Sequence, residues 1–221
     1  IKLSLKYSVS KFIYISSDKA VRPANIMGLT KRLSEMYIQA NFEENLNKNL
    51  EMYIVRFGNV AGSSGSVIPI FQNQILQGGP VTLTHKDTSR YFMTISEAVG
   101  LILEVNTYKP TNNIYILNMG EPIKIMDLAK KLILLSGQSF YFDSDINKKG
   151  IKIEIIGLRP GEKLHEELVY SENLTATENH NIFIEEINKL NINNINEIIK
   201  KIEKNISYKE LSNIISNYKI Q

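Results

Sequence analysis

Two hydrophobic periods alternate along the chain. Lys11–Ser16 (KFIYIS) is an unbroken apolar, β-rich run ending in small polar residues, as expected of a strand buried on both faces of a parallel sheet. Leu3–Ser8 before it reads as the last turns of a helix. From Met27 the period lengthens. Leu29, Leu33, Met36, Tyr37 and Ala40 form one stripe at three-and-four spacing, which predicts an amphipathic helix. Met52–Phe57 (MYIVRF) is a second buried strand, Gly58–Ser66 a Gly/Ser-rich loop, and Val67–Leu76 a short helix closed by Gly78, Gly79 and Pro80. Strands are predicted at Val81–Thr84, Tyr91–Ile95, Asn113–Asn118 and Lys152–Ile156, and helices at Ser96–Val105, Ile125–Leu135 and Lys163–Val169.

Regular β/α alternation early and mixed elements later predict an α/β fold. It would be part of a doubly wound parallel sheet with an interleaved α+β lobe. From about Asn173 the composition turns Asn/Ile/Lys/Glu-rich. Ile195, Ile198, Ile199 and Ile202, then Leu211, Ile214 and Ile215, predict two amphipathic helices flanking Ile206–Tyr208. This end carries no motif and reads as a packing or partner-docking appendage. The expected division is residues 1–60 in the sheet domain, 61–172 in the lobe interleaved with the last sheet elements, and 173–221 as a helical tail.

Composition narrows the classes. With 43% hydrophobic and 22% charged residues over 221 positions, disordered and fibrous classes are excluded. The absence of cysteine excludes disulfide scaffolds, thiol nucleophiles and thiolate metal sites. A net charge of +3, spread evenly, gives no footprint for nucleic acid. The longest apolar runs, at Leu101–Val105 and Leu132–Leu135, fall far short of a membrane span, and no signal peptide is visible. The first residue is Ile1, not Met, and a strand follows almost at once. The expectation is a piece of something longer.

Ser16, Ser17, Asp18 and Lys19 stand directly at the carboxyl end of the first strand, where open α/β sheets bind ligands. A hydroxyl, a carboxylate and an ammonium thus emerge within three positions. Lys31 lies one helical turn after Met27, on the same face. The plainer alternative makes Ser17 and Asp18 a turn cap and Lys19 a solvated neighbour.

The run SSDKAVRPANIMGLTKRLSE resembles the active-site segment of extended short-chain dehydrogenase/reductases. More narrowly, it resembles the CapD-like polysaccharide biosynthesis family of UDP-N-acetylglucosamine 4,6-dehydratases. VRFGNVAGSSGSVIPIF (Val55–Phe71), GGPVTLTHKDTSRYFMTISEAV (Gly78–Val99) and GLRPGEKLHEEL (Gly157–Leu168) extend the resemblance in the same order. The superfamily's usual Tyr, four residues before its Lys, is Met27 here, and a thioether is no general base. Met at this place resembles the branch that retains configuration at carbon 5.

The resemblance implies dehydration by internal, NAD-mediated hydride transfer in surface polysaccharide or glycan synthesis. Where related dehydratases carry an Asp-Glu pair, this chain has Asp18 as the acid toward the leaving hydroxyl and Lys19 as the base at carbon 5. It places Ser17 on the sugar's 4-oxygen and Lys31 on the nicotinamide ribose. Lys31 or a bound water remain the alternatives for the first base in place of the missing Tyr. It also places Asn59 near the diphosphate of a UDP-sugar. Ser66 and Val67 open a helix whose N-H groups suit an anion. Arg90 and Arg159, two of five arginines, suit phosphate, with a surface ion pair as the alternative for Arg90. Glu162 reads either as a ribose- or uracil-side contact or as a turn-region salt bridge. Arg56, inside a buried strand, reads as structural. His85, His165 and His180 have no metal-ligand spacing.

No G-x-G-x-x-G follows a strand, so the cofactor's pyrophosphate cradle and the N-terminal half of the dinucleotide domain are expected outside these residues. Two readings remain, part of a working dehydratase or an inactive remnant that binds only UDP-sugar or partners. A nucleotide-sugar epimerase is the weaker third. The expected parent is cytoplasmic, homo-oligomeric and open to membrane anchoring through its N-terminal region.

Overall fold

The computed structural model describes residues 1–45, 49–63, 65–146, 149–170, 174–188 and 190–217. Helix α1 (Lys2–Lys6) precedes β1 (Lys11–Ile15), a single 3-10 turn (Asp18–Ala20), α2 (Ile26–Asn45) and β2 (Glu51–Arg56). Then come β3 (Asn59–Val60), α3 (Val67–Leu76), β4 (Val81–Leu83), β5 (Ser89–Arg90), β6 (Phe92–Met93), α4 (Ile95–Val105) and β7 (Ile114–Leu117). The rest is β8 (Ile123–Lys124), α5 (Ile125–Leu135), β9 (Phe140–Tyr141), β10 (Ile151–Ile155), β11 (Leu174–Ala176), β12 (Ile182–Glu185), α6 (Ile192–Glu203) and α7 (Tyr208–Asn217). Two units form, residues 1–57, 99–118 and 167–221 in the first, and 58–98 and 119–166 in the second.

The first unit is built on a five-stranded sheet in the order β1-β2-β7-β12-β11. Strands β1, β2 and β7 are parallel, with Lys11 opposite Glu51 and Val55 opposite Tyr115, whereas β12 and β11 run antiparallel. A parallel neighbour requires a crossover, and α2 supplies it between β1 and β2. Side chains alternate across the sheet. Met52, Ile54, Ile114 and Ile116 pack on one face with Ile38 and Phe42 of α2. On the other face Tyr53 and Tyr115 stack at 6.3 Å, Tyr115 meets the Tyr108 ring at 5.9 Å, and the Tyr53 hydroxyl donates to the Tyr108 carbonyl. Burial pushes the Tyr115 hydroxyl up to about 12, with Tyr108 adding to it.

The second unit carries a three-stranded sheet, β4-β10-β9, and two short ladders, β3-β6 and β5-β8. Its core joins Phe71 and Ile75 of α3 to Val81, Leu83, Ile151 and Ile153 of the sheet and to Ile125, Ala129 and Ile133 of α5. The four-residue spacing of these helix positions puts them on one face of each helix, turned inward.

Three expectations on elements change. No helix covers residues 163–169. The Leu164 carbonyl accepts from the Ser89 N-H and from Arg90, His165 bridges Ser89, and the Leu168 carbonyl accepts from Arg56. Carbonyls spent in this way cannot close helical turns. The strand expected at Tyr91–Ile95 shortens to Phe92–Met93, since Ile95 opens α4. The segment after residue 173 is not helical throughout. Strands β11 and β12 extend the first unit's sheet before α6 and α7 begin.

The two predicted terminal helices do form, and α2 is what orders them. Leu29, Met36 and Ala40 pack with Ile195, Ile198 and Ile215, flanked by Leu33, Tyr37, Leu211 and Ile214. Ile195 is fully buried there. Its truncation in Ile195→Ala is expected to cost about 3 kcal/mol, read by urea unfolding followed by circular dichroism. A loss below about 1 kcal/mol would show that the terminal helices are not part of the cooperative core.

Candidate active site

Strand β1 ends at Ile15, but the chain stays tied to β2 beyond it. The Ser16 N-H donates to the Val55 carbonyl at 2.7 Å and the Asp18 N-H to the Phe57 carbonyl at 3.0 Å. Ser17 is extended and caps the 3-10 turn, its hydroxyl accepting from the Lys19 N-H at 3.3 Å. The cap expected as the plainer alternative is therefore present. It coexists with a polar cluster. The same Ser17 hydroxyl donates to Asp18 Oδ1 at 2.8 Å, and Lys19 Nζ reaches that oxygen at 3.0 Å. Asp18 is wholly buried, and its other oxygen, Oδ2, has no hydrogen-bond partner among the described residues. A buried carboxylate oxygen left open is expensive unless something arrives to use it.

Helix α2 supplies the neighbouring groups. The Asn25 side chain accepts from the Gly28 N-H at 2.9 Å, which starts the helix beside the turn. Lys31 Nζ donates to the Ile15 carbonyl at 2.9 Å and lies 5.0 Å from the Tyr14 ring, so its ammonium stands at the carboxyl end of β1. Met27 is 46% exposed and shares the Lys31 face one turn earlier. Gly28 makes the approach possible. A Cβ there would sit 2.3 Å from the Lys19 carbonyl oxygen and 3.0 Å from Pro23 Cβ.

Beneath the turn lies a group of buried charges that the sequence reading did not assemble. Glu35 accepts from Ser16 at 2.6 Å, from Arg56 at 2.9 and 3.1 Å, and from Arg32 at 3.1 Å. Arg56 also donates to Glu185 at 2.7 Å. Burial by itself would raise the Glu35 carboxyl, but Arg56 and then Arg32 outweigh it and hold the group below the usual carboxylate range. Burial opposes the Arg56 charge, and Glu35 followed by Glu185 reverses that into a net upward shift. The reading of Arg56 as structural agrees with this placement. A charge inside the apolar run MYIVRF does signal a buried partner, but not which of the chain's 23 acidic residues supplies it.

The remaining candidates lie in the second unit. Asn59 opens β3, and its N-H donates to the Tyr91 carbonyl. Ser66 caps α3 by position without a side-chain cap bond, its buried hydroxyl having no hydrogen-bond partner among the described residues, and Val67 is the helix's first residue. Arg90 pairs with Glu162 at 3.2 Å and donates to the Ser89 and Leu164 carbonyls. Glu162 also accepts from Thr84 at 2.8 Å and from the Arg159 N-H at 3.2 Å. The salt bridges offered as alternatives for Arg90 and Glu162 are thus formed, and with each other. The Arg159 side chain is exposed.

Two outcomes test this geometry. Gly28→Ala forces backbone apart at the Lys19 carbonyl and is expected to destabilise the chain by about 2 kcal/mol, measured by urea unfolding. Glu35→Gln removes one partner of a buried pair, expected to cost about 3 kcal/mol at pH 7. The contribution of Glu35 exists above its unfolded value, near 4.3, and is lost as pH falls through its lower folded value. The gap between wild type and Glu35→Gln should therefore narrow below about pH 4 in urea titrations repeated across pH.

A family described as polysaccharide biosynthesis protein matches residues 1–187. The capsular polysaccharide biosynthesis protein CapD of Staphylococcus aureus is 53% identical over 161 residues, which cover 73% of this chain and 25% of that protein. The chain thus spans a quarter of this relative's length. Among solved structures, Pen from Bacillus thuringiensis aligns with a TM-score of 0.72 and 34% identity over 83% of this chain and 55% of that one. The dTDP-glucose 4,6-dehydratase DesIV of Streptomyces venezuelae, solved with NAD bound, shares the fold at a TM-score of 0.59 and 19% identity, covering 76% of this chain and 53% of that one. Among the described residues no helix is long and apolar enough to cross a membrane. A sheet ending in the Ser17–Lys19 turn, with Lys31 beside it, and a family match over most of its length place this chain in the CapD-like polysaccharide biosynthesis protein family.

Proposed function

We propose that this chain is the catalytic portion of a cytoplasmic nucleotide-sugar 4,6-dehydratase that converts UDP-N-acetylglucosamine to a UDP-4-keto-6-deoxy sugar for polysaccharide synthesis. One observation carries the reading: a wholly buried Asp18 with one oxygen open, in contact with Lys19 at 3.0 Å at the end of a parallel strand. A methionine at position 27, in place of a phenol, leaves this pair and Lys31 as the proton-handling groups nearest the strand end.

In its reactive form the pair is a carboxylic acid on Asp18 and a neutral amine on Lys19, in contact at 3.0 Å. In that form the Lys19 amine takes the proton from sugar carbon 5, and Asp18 gives its proton to the hydroxyl leaving carbon 6 as water. Lys19 returns its proton to carbon 5 as hydride reaches carbon 6, and the proton released from the 4-hydroxyl in the first oxidation restores Asp18, so the cycle balances. Ser17 turns its one hydroxyl hydrogen from Asp18 Oδ1 to the sugar 4-oxygen.

NAD, when bound, would supply the hydride chemistry between carbon 4 and carbon 6. The donor set fits its ribose end, because the Lys31 ammonium and the Ser17 hydroxyl flank the strand end and suit a diol. Its pyrophosphate finds no G-x-G-x-x-G turn among the 221 residues. Within the second unit, Arg159, Asn59, Arg90 and the α3 N-terminus at Ser66 and Val67 are the groups this reading assigns to the UDP diphosphate.

The reading is tested in the complete enzyme by Lys19→Ala. Dehydration is expected to fall by about 10³-fold or more with UDP-sugar binding retained, and exchange of the carbon 5 proton with deuterated water should vanish. Asp18→Asn should keep that exchange while blocking water loss. Normal turnover by Lys19→Ala removes Lys19 from the mechanism.

A further inference from the structure

The turn carrying Asp18 and Lys19 has few internal bonds. The Ala20 N-H donates to the Ser17 carbonyl and the Val21 N-H to the Asp18 carbonyl, each at 3.0 Å. The Lys19 carbonyl faces Gly28, where only hydrogen fits. The Ala20 carbonyl is held by a residue far along the chain, accepting from the Tyr170 hydroxyl at 2.9 Å.

Tyr170 cannot swing independently. Its ring has the Arg32 guanidinium at 5.2 Å, Arg22 at 5.6 Å and Arg56 at 5.7 Å. Its N-H donates to the Glu185 carboxylate, and its carbonyl accepts from Arg22 at 3.0 Å. Arg22 takes up a left-handed backbone, with φ of 38°, and also pairs with Glu167 at 2.6 Å. A non-glycine residue keeps such a conformation only where surrounding contacts over-determine it. Three cations around a phenol would favour its ionisation, but burial is the larger influence and raises the group above its ordinary value. The hydroxyl therefore remains a donor, as the Ala20 carbonyl requires.

We infer that Tyr170 is a positioning residue for the dehydration step, its hydroxyl bolting the Asp18–Lys19 turn to the buried Glu35–Arg56–Glu185 cluster. This rests on the reading of Asp18 and Lys19 as acid and base. Tyr170 does not touch the reacting pair. It fixes the carbonyl of Ala20, the last residue of the turn, and Lys19 is the residue directly before it. Small displacements at a proton-transfer geometry are costly, so a lost anchor is read in the chemical step before it is read in binding.

Tyr170→Phe keeps the ring between the guanidiniums and removes only the hydroxyl. In this chain, amide exchange at Ala20 and Val21 is expected to quicken about 3- to 10-fold, with Met52–Arg56 of β2 unchanged. In the complete enzyme, kcat for dehydration is expected to fall by at least that factor with KM for the UDP-sugar unchanged. Carbon 5 exchange should slow in step. Unchanged exchange at Ala20 and Val21, equal acceleration of the β2 amides, or unchanged kcat in an active enzyme would each overturn the assignment. If the wild-type enzyme makes no 4-keto-6-deoxy sugar, the dehydratase reading fails, and the amide measurement still decides whether Tyr170 anchors the turn. Should Tyr170→Phe not fold, Arg22→Gln stands in. It releases the Tyr170 carbonyl from an exposed position, and about 2-fold faster exchange at Ala20 and Val21 is expected. No change there would count against the anchor.

Discussion

Arg56 lies wholly inside the protein with its guanidinium divided between Glu35 and Glu185, and the first unit is organised around that neutralisation. An arginine at the end of a buried strand is tolerated only when its charge is met by well-directed carboxylates. Meeting it fixes three things at once: the roll of α2 that aims Glu35 inward, the register of β12 that brings Glu185 alongside, and the path of residues 168–170. The two acidic partners are 21 and 129 positions away in sequence. Such a pairing restricts which packings of the sheet and helix are allowed.

The Ser17–Lys19 turn inherits its rigidity from that cluster. Ser16 passes the constraint upward through its hydroxyl bond to Glu35, and Tyr170 passes it through the Ala20 carbonyl. Gly28 lets α2 close on the turn from the side. Asp18 is consequently buried with its open oxygen out of reach of water. In the second unit the logic differs. Arg90 and Glu162 are satisfied by each other and by backbone, so their motif GLRPGEK first closes a local structure before it offers anything to a ligand.

The sheet and its crossover helix were legible because local composition and period carry them. KFIYIS and MYIVRF have no polar face to misread, and the α2 stripe from Leu29 to Ala40 appears in the buried core as spaced. The terminal helices were equally readable from their isoleucine spacing. Where prediction failed, the deciding bond was nonlocal. Residues 163–169 have helical composition, but Ser89, Arg90 and Arg56 claim their carbonyls. Strands β11 and β12 hide in an Asn-rich stretch because their strand character comes from pairing, β12 with β7 and β11 with β12.

The sequence by itself determined the chemistry on offer: a serine, an aspartate and a lysine at a strand end, a methionine where a phenol is usual, and a lysine one helical turn later. Adjacent residues at an element boundary stay adjacent however the chain packs, so that much could be read directly. Only the tertiary structure decided that Asp18 is fully buried with one oxygen unsatisfied, that Lys19 shares its other oxygen, and that Tyr170 anchors the turn from 150 residues away. Burial and long-range hydrogen bonds are properties of the packed chain, set by which distant groups must neutralise Arg56, and no local pattern encodes them.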